Sequence, residues 1–201
     1  MTQTQITLSF LMILAVVALA MGIHSWIDKS RISKNFFSLA EKIGGTVVYR
    51  NPFIYPTFRG DLDGKTFDLF FKVIKAGRKY ILYCVYSLKV TAPCELFLTR
   101  TNAFKPVADH PTFEKAAGQS LAGIDPAYQG HSPSPEQAMG VYSREGVAAS
   151  LLALGEFLSL QVGPDALIAA KPYDGPRDTD PDHILRNIHD LQRLAHAIEQ
   201  T

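Results

Sequence analysis

The hydrophobic pattern divides the chain into an uninterrupted apolar stretch and a longer region of short periodic segments. From Ile6 to Trp26 the sequence reads ITLSFLMILAVVALAMGIHSW and carries no charge. As an α-helix at 1.5 Å per residue it is about 31 Å long, which matches a bilayer core of roughly 30 Å. His24 and Trp26 stand where the polar interface begins, and tryptophan is enriched at that depth. After a short break, Phe36, Phe37, Leu39, Ala40 and Ile43 give an apolar stripe over Ser33–Ile43, and Gly44-Gly45 supplies a stop.

Strand patterns follow. Thr46–Arg50 is short and β-branched, and Phe53–Arg59 is interrupted by Pro56. Asp63-Gly64 is a hairpin turn signal. Thr66–Ile74 alternates, with Phe67, Leu69, Phe71 and Val73 on one face. Tyr80–Val90 places Leu82, Cys84, Tyr86, Leu88 and Val90 on one face, and Cys94–Arg100 is expected to fold back on it as a further hairpin. Residues 101–126 show no period and mark a possible sub-boundary. Ser134-Pro135-Glu136-Gln137 has the form of a capping box, and Ser143 is placed to cap a second helix through Leu151, Leu152 and Leu154. Phe157–Val162 and Ala166–Ala170 flank the turn Gly163-Pro164-Asp165. Asp180-Pro181 opens a last helix on which Ile184, Ile188, Leu191, Ala195 and Ile198 share a face. The expected class is therefore α+β: one N-terminal transmembrane helix, then a mostly antiparallel sheet packed with three to five helices.

Composition changes this picture little. The chain has 201 residues, 47% of them apolar, and a formal net charge of +1. Those values suit a folded domain and disfavour nucleic-acid binding, for which a basic face is needed. No Lys or Arg precedes the apolar stretch, whereas Lys29, Arg31, Lys34 and Lys42 follow it. The positive-inside rule then puts the N-terminus outside and residues 31–201 in the cytoplasm, with residues 1–30 as anchor and juxtamembrane segment. The rival is a cleaved signal peptide ending at Ala18-Leu19-Ala20. Against it stand the length of the apolar run and the lack of a basic residue in MTQTQ. Ala18 and Gly22 form a small-xxx-small pair, a candidate packing face for another membrane helix. In the expected hairpin Cys84 and Cys94 are too far apart to bond, and two unpaired cysteines suit a reducing compartment.

Candidate chemistry is sparse. Asp178, Asp180, Asp182 and His183 cluster on a loop, and alternate carboxylates are an EF-hand-like arrangement. The pattern fails because His183 stands where glycine belongs and His189 where glutamate belongs. His183, His189 and His196 share the last helix at spacings that do not chelate. Gly118–Gly123 resembles a nucleophile elbow but has Ala122 in place of the second glycine. Asp61 and Asp63 are turn chemistry. Tyr49, Tyr55, Tyr80, Tyr83 and Tyr86 lack the basic face of a base-stacking platform. No catalytic, cofactor or metal residue is assigned. The leading expectation is a membrane-anchored, non-enzymatic accessory or partner-binding subunit of a membrane complex. The alternatives are an envelope-side ligand-binding protein released by signal cleavage, and a divalent-metal enzyme using the 178–183 loop. The anchor, the Leu39–Gly45 helix end LAEKIGG and the meander segment GDLDGK (residues 60–65) resemble the layout of bacterial proteins with one N-terminal span and a small cytoplasmic α+β domain. That resemblance is one of organisation and carries no catalytic residue.

Overall fold

The computed structural model describes residues 3–49, 54–76, 78–101 and 118–200. It opens with a single helix, α1, over Gln3–Ile43. At 1.5 Å per residue it is about 61 Å long. The break expected after Trp26 is absent, because nothing between Ile23 and Ile43 is Gly or Pro and every residue there tolerates helix. The two ends of α1 differ in what surrounds them. Phe10, Leu11, Met12, Ile13, Val16, Leu19, Met21 and Trp26 are exposed on all sides. From Lys29 onward burial becomes periodic, and Ile32, Phe36 and Leu39 are fully buried at i, i+4, i+7. Gly44 and Gly45, at φ +74° and +110°, end the helix where a side chain would be strained.

The strands are β1 (Thr46–Val48), β2 (Thr57–Leu62), β3 (Lys65–Ala76), β4 (Lys79–Lys89), β5 (Leu96–Arg100), β6 (Gln119–Ser120), β7 (Tyr128–Ser132), β8 (Ser159–Val162) and β9 (Ala166–Pro172). They form one antiparallel nine-stranded sheet in the order β1-β2-β3-β4-β9-β8-β5-β7-β6. The β2–β3 turn uses Asp63 and Gly64, both at positive φ, with Asp61 Oδ1 accepting from the Gly64 amide at 3.1 Å. This is the tight hairpin turn whose twist suits the flanking strands.

One expected pairing does not form. β4 lies beside β9, and β5 lies between β8 and β7, so the strands through Cys84 and before Arg100 are not a hairpin. The reason is local. After Lys89 the chain does not reverse; the Val90 and Ala92 amides donate to the carbonyls of Asp165 and Pro164, both at 3.3 Å. The segment thus runs past the β8–β9 turn, and Pro93 supplies no amide for a ladder. Cys84 and Cys94 are both free and buried. Cys94 lies on the segment that runs past the β8–β9 turn, whereas Cys84 is in register with Lys171 near the other end of β9, so the two thiols do not meet.

Among the described residues, four helical elements cover the sheet besides α1: α2 (Pro135–Tyr142), α3 (Val147–Ala153), a 3-10 turn (Pro176–Thr179) and α4 (Pro181–Glu199). Ser134 precedes α2 but makes no side-chain cap bond. Ser143 ends α2, with its amide donating to Met139 O at 2.9 Å, and does not start α3; Gly146 at φ +84° does. On α4 the expected stripe of Ile184, Ile188, Leu191, Ala195 and Ile198 is buried. Buried Asn187 donates to the Tyr86 hydroxyl at 3.3 Å. The main core lies between the sheet, the C-terminal part of α1, and α2–α4. A smaller cluster of Ile74, Tyr83, Val85 and Ala170 is separate from it.

Candidate functional site

The most concentrated chemistry in the described residues is a lysine that the hydrophobic pattern conceals. Lys171 sits on β9 in register with Cys84 on β4, and its side chain is 3% exposed. Three elements converge on its ammonium. Glu156, in the turn after α3, lies 2.6 Å from Nζ; Asp178, on the 3-10 turn, lies at 2.8 Å. His183, in the first turn of α4, places Nε2 at 2.8 Å. An ammonium has three N–H donors, and here each has a facing acceptor. The same His183 nitrogen is 2.9 Å from Glu156 Oε2, so one proton decides whether the ring accepts from the lysine or donates to the carboxylate.

Burial alone would push Lys171 down. The hydrogen bonds and charges of Asp178 and Glu156 outweigh it and hold the ammonium above its ordinary value. Burial likewise opposes ionisation of Glu156, but the bond to Lys171 brings that carboxyl below its usual range. Cys84, fully buried next to this group, has its thiol pushed up to about 12 by desolvation, which makes it unreactive.

By residue type Glu156, Asp178 and His183 are metal ligands, and their donor atoms lie within 4.8 Å of one another. The lysine ammonium occupies the space between them. A divalent ion at about 2.1 Å from the same atoms would overlap Nζ and be repelled by it. The arrangement is an ion-pair network around a buried lysine, its resident cation, with Asp178 largely buried and Glu156 half exposed.

The other acidic residues of the 178–183 loop are divided among separate partners. Asp180 caps α4, accepting from the amides of Asp182 and His183 at 3.1 and 3.2 Å. Asp182 pairs with Lys42 of α1 at 2.6 Å on the surface. The three carboxylates therefore do not converge as calcium ligation requires. Replacing Asp180 with alanine is expected to cost about 1 kcal/mol through the lost cap. In a thermal melt this lowers the midpoint by roughly 2–4 °C for a domain of this size. The same shift with and without chelator is expected, and a shift that disappears in EDTA would restore the metal reading. Of the remaining candidates, Gln119–Ser120 is a short edge strand beside β7, and no strand-to-helix turn forms there. Tyr83 and Tyr86 are buried in different clusters while Tyr49 and Tyr80 are exposed, so the tyrosines form no common platform.

A second group of contacts lies where α1 enters the domain. The Tyr173 hydroxyl donates to Asp28 Oδ1 at 2.8 Å. Lys29 lies over the Tyr55 ring, 5.1 Å from its centroid. Phe36 packs edge-on to Phe58 at 6.0 Å and stacks with Phe71 at 6.1 Å. Phe71 in turn meets Tyr55 and Tyr173. Asn35 donates to Thr179 Oγ1 at 3.0 Å, one residue from Asp178. The lysine network and the α1 junction are thus adjacent. Beside them, a cleft of about 820 Å³ opens along β1–β3, lined by Val48, Ile54, Tyr55, Phe70 and Val73, with the Arg59–Asp68 ion pair among its walls.

Fold and junction together define a class: an antiparallel α+β domain built onto the end of a helix long and apolar enough to cross a membrane. No protein-family model and no curated protein matches the chain. Among solved structures it is similar to the crystal structure of the mycobacterial trehalose monomycolate transport factor A, TtfA, with a TM-score of 0.58. The likeness covers 85% of this chain and 97% of that one at 14% identity, and so is a likeness of fold.

Proposed function

We propose that the chain is a single-span, membrane-anchored, non-enzymatic protein that serves as an accessory or partner-binding subunit of a membrane complex. The observation that carries this reading is α1 itself: an apolar, fully exposed N-terminal part continuous with a C-terminal part buried in the domain core. An apolar helix exposed all round is at home in lipid, not water. Residues 1–30 act as anchor and juxtamembrane segment and 31–201 as the domain, with Asp28 and Lys29 making the first contacts between them. The charge asymmetry around the anchor supports a cytoplasmic domain with the N-terminus outside. Support for a partner comes from Ala18 and Gly22, which lie on exposed helix surface; a Cβ added at Gly22 meets nothing within 4 Å. The fold neighbour is, by its name, a transport factor, which is compatible with an accessory role.

Extraction of the tagged full-length chain in mild detergent tests the reading. We expect co-purifying membrane proteins, an N-terminus that retains residues before Ala20, and protection of a Glu41→Cys variant from an impermeant thiol reagent in intact cells. The native cysteines are buried and do not interfere. Substitution Gly22→Ile is expected to reduce co-purification several-fold without changing the thermal midpoint of the domain. A free monomer as the sole species, or a mature chain starting at Met21, would overturn the proposal.

A further inference from the structure

The β3–β4 hairpin extends beyond the level at which α1 leaves the domain, and it does so on the anchor side. Three contacts fix the direction. Passing backward along β2 and into the segment before it, Arg59 lies against Gly45 at the C-terminal end of α1, Phe58 meets Phe36, and Tyr55 lies under Lys29. β3 is antiparallel to β2, so it runs from the far end of the domain toward the anchor. The Tyr173 amide donates to Leu82 O, and Leu82 is paired with Val73. Tyr173 also bonds Asp28, so this row of the sheet stands beside the residue two positions after Trp26.

Past that row the hairpin continues through the pairs Ile74–Ile81, Lys75–Tyr80 and Ala76–Lys79. Three residues of strand cover roughly 10 Å, whereas Asp28 to Trp26 is about 3 Å of helix rise. The tip therefore overlaps the headgroup layer, which is several ångströms deep on each side of the hydrocarbon. Its composition fits that depth. Between Asp68 and Glu95 the sequence has no acidic residue, while Lys72, Lys75, Arg78 and Lys79 are basic. Arg78 and Lys79 are exposed, Tyr80 is 71% exposed and Val73 is 53% exposed. Tyrosine is enriched at membrane interfaces, and each basic residue near an anionic surface adds attraction.

We infer that the β3–β4 hairpin is a second membrane contact, in which Arg78 and Lys79 engage anionic lipid headgroups and Tyr80 lies among them. The inference rests on α1 being the anchor, and the test separates the two. The full-length chain is reconstituted in bilayers of phosphatidylcholine with or without phosphatidylglycerol, with a fluorophore on Tyr80→Cys, Val16→Cys or Gln200→Cys. Quencher lipids carry the spin label either at the headgroup or deep in the acyl chain. The label at 80 is expected to be quenched by the headgroup quencher, more strongly with phosphatidylglycerol, and to be released in high salt. Adding Arg78→Glu and Lys79→Glu reduces the contact more than roughly tenfold, since each basic residue near the surface contributes about fivefold. The label at 200, next to Glu199 which pairs with Lys65 at the far end of the hairpin strands, stays unquenched. The label at 16 is quenched by the deep probe. If 16 is quenched and 80 behaves like 200, or if 80 responds equally in pure phosphatidylcholine, the hairpin contact is overturned and the anchor stands. If 16 is not quenched, the anchor reading itself falls.

Discussion

Replacing Lys171 with methionine is expected to destabilise the domain by about 3–5 kcal/mol, because removing one partner of a buried ion pair leaves the others uncompensated. Asp178 is only 16% exposed and would face Glu156 and His183 without a cation between them. At about 2–4 °C per kcal/mol, the thermal midpoint falls by roughly 10 °C. Replacing Asp178 with leucine as well should recover part of the loss, since an apolar replacement of a whole buried pair is often near neutral. A single-variant cost below about 1 kcal/mol would show that the cluster behaves as an exposed pair does. The network also sets a pH dependence with two limbs. Lys171 titrates above its ordinary value in the folded protein, so its contribution is complete below that ordinary value and is lost as pH rises through the raised one. Glu156 and Glu199 titrate below theirs, so their contributions are present above the ordinary carboxyl range and are lost as pH falls through the depressed values. The midpoint should be flat between about pH 5 and 9 and fall outside it. The Lys171→Met variant should lose only part of the alkaline limb, because the raised Cys84 thiol and the raised Tyr86 and Tyr173 hydroxyls also lose their contributions as pH rises.

Replacing Phe36 with alanine is expected to cost about 3–5 kcal/mol, the range for truncating a fully buried aromatic side chain. Phe36 is the residue of α1 that contacts both Phe58 and Phe71, so the void opens in the joint between anchor and sheet. Denaturant titration in detergent should report the loss, and limited proteolysis should newly cut near residues 28–43. The neighbouring Phe37 is 54% exposed, and Phe37→Ala should stay within about 0.5 kcal/mol. Equal effects at the two positions would mean that α1 is not docked as described.

The contrast between Phe36 and Phe37 also shows what the sequence made legible. Periodicity identified the α4 stripe, the β2–β3 turn and the β8–β9 hairpin, because each rests on interactions within a few residues. Strand order was not legible. A turn signal at Thr91-Ala92-Pro93 looks like a hairpin until the Val90 and Ala92 amides find partners on the distant 164–165 turn. The lysine network was missed for a related reason. Lys171 stands in the apolar run ALIAAKP and carries no motif, and its three partners come from separate elements. A lone charge inside a buried strand was the available signal, because such a charge requires compensation from somewhere. The acidic loop supplied two of the members, Asp178 and His183, but was read for metal ligation, and its Asp180 and Asp182 serve a cap and a surface pair.

The unbroken course of α1 has a mechanical consequence. A flexible linker would isolate the domain from its anchor, whereas a continuous helix makes the two a single lever. Transmembrane helices commonly tilt by about 20° and adjust to bilayer thickness and to neighbouring helices. From Asp28 to Ile43 the arm is about 22 Å long, so a change in tilt of about 10° sweeps its far end through roughly 4 Å. On the anchor reading proposed above, any change in the tilt of α1 would thereby reorient the nine-stranded sheet built on its far end.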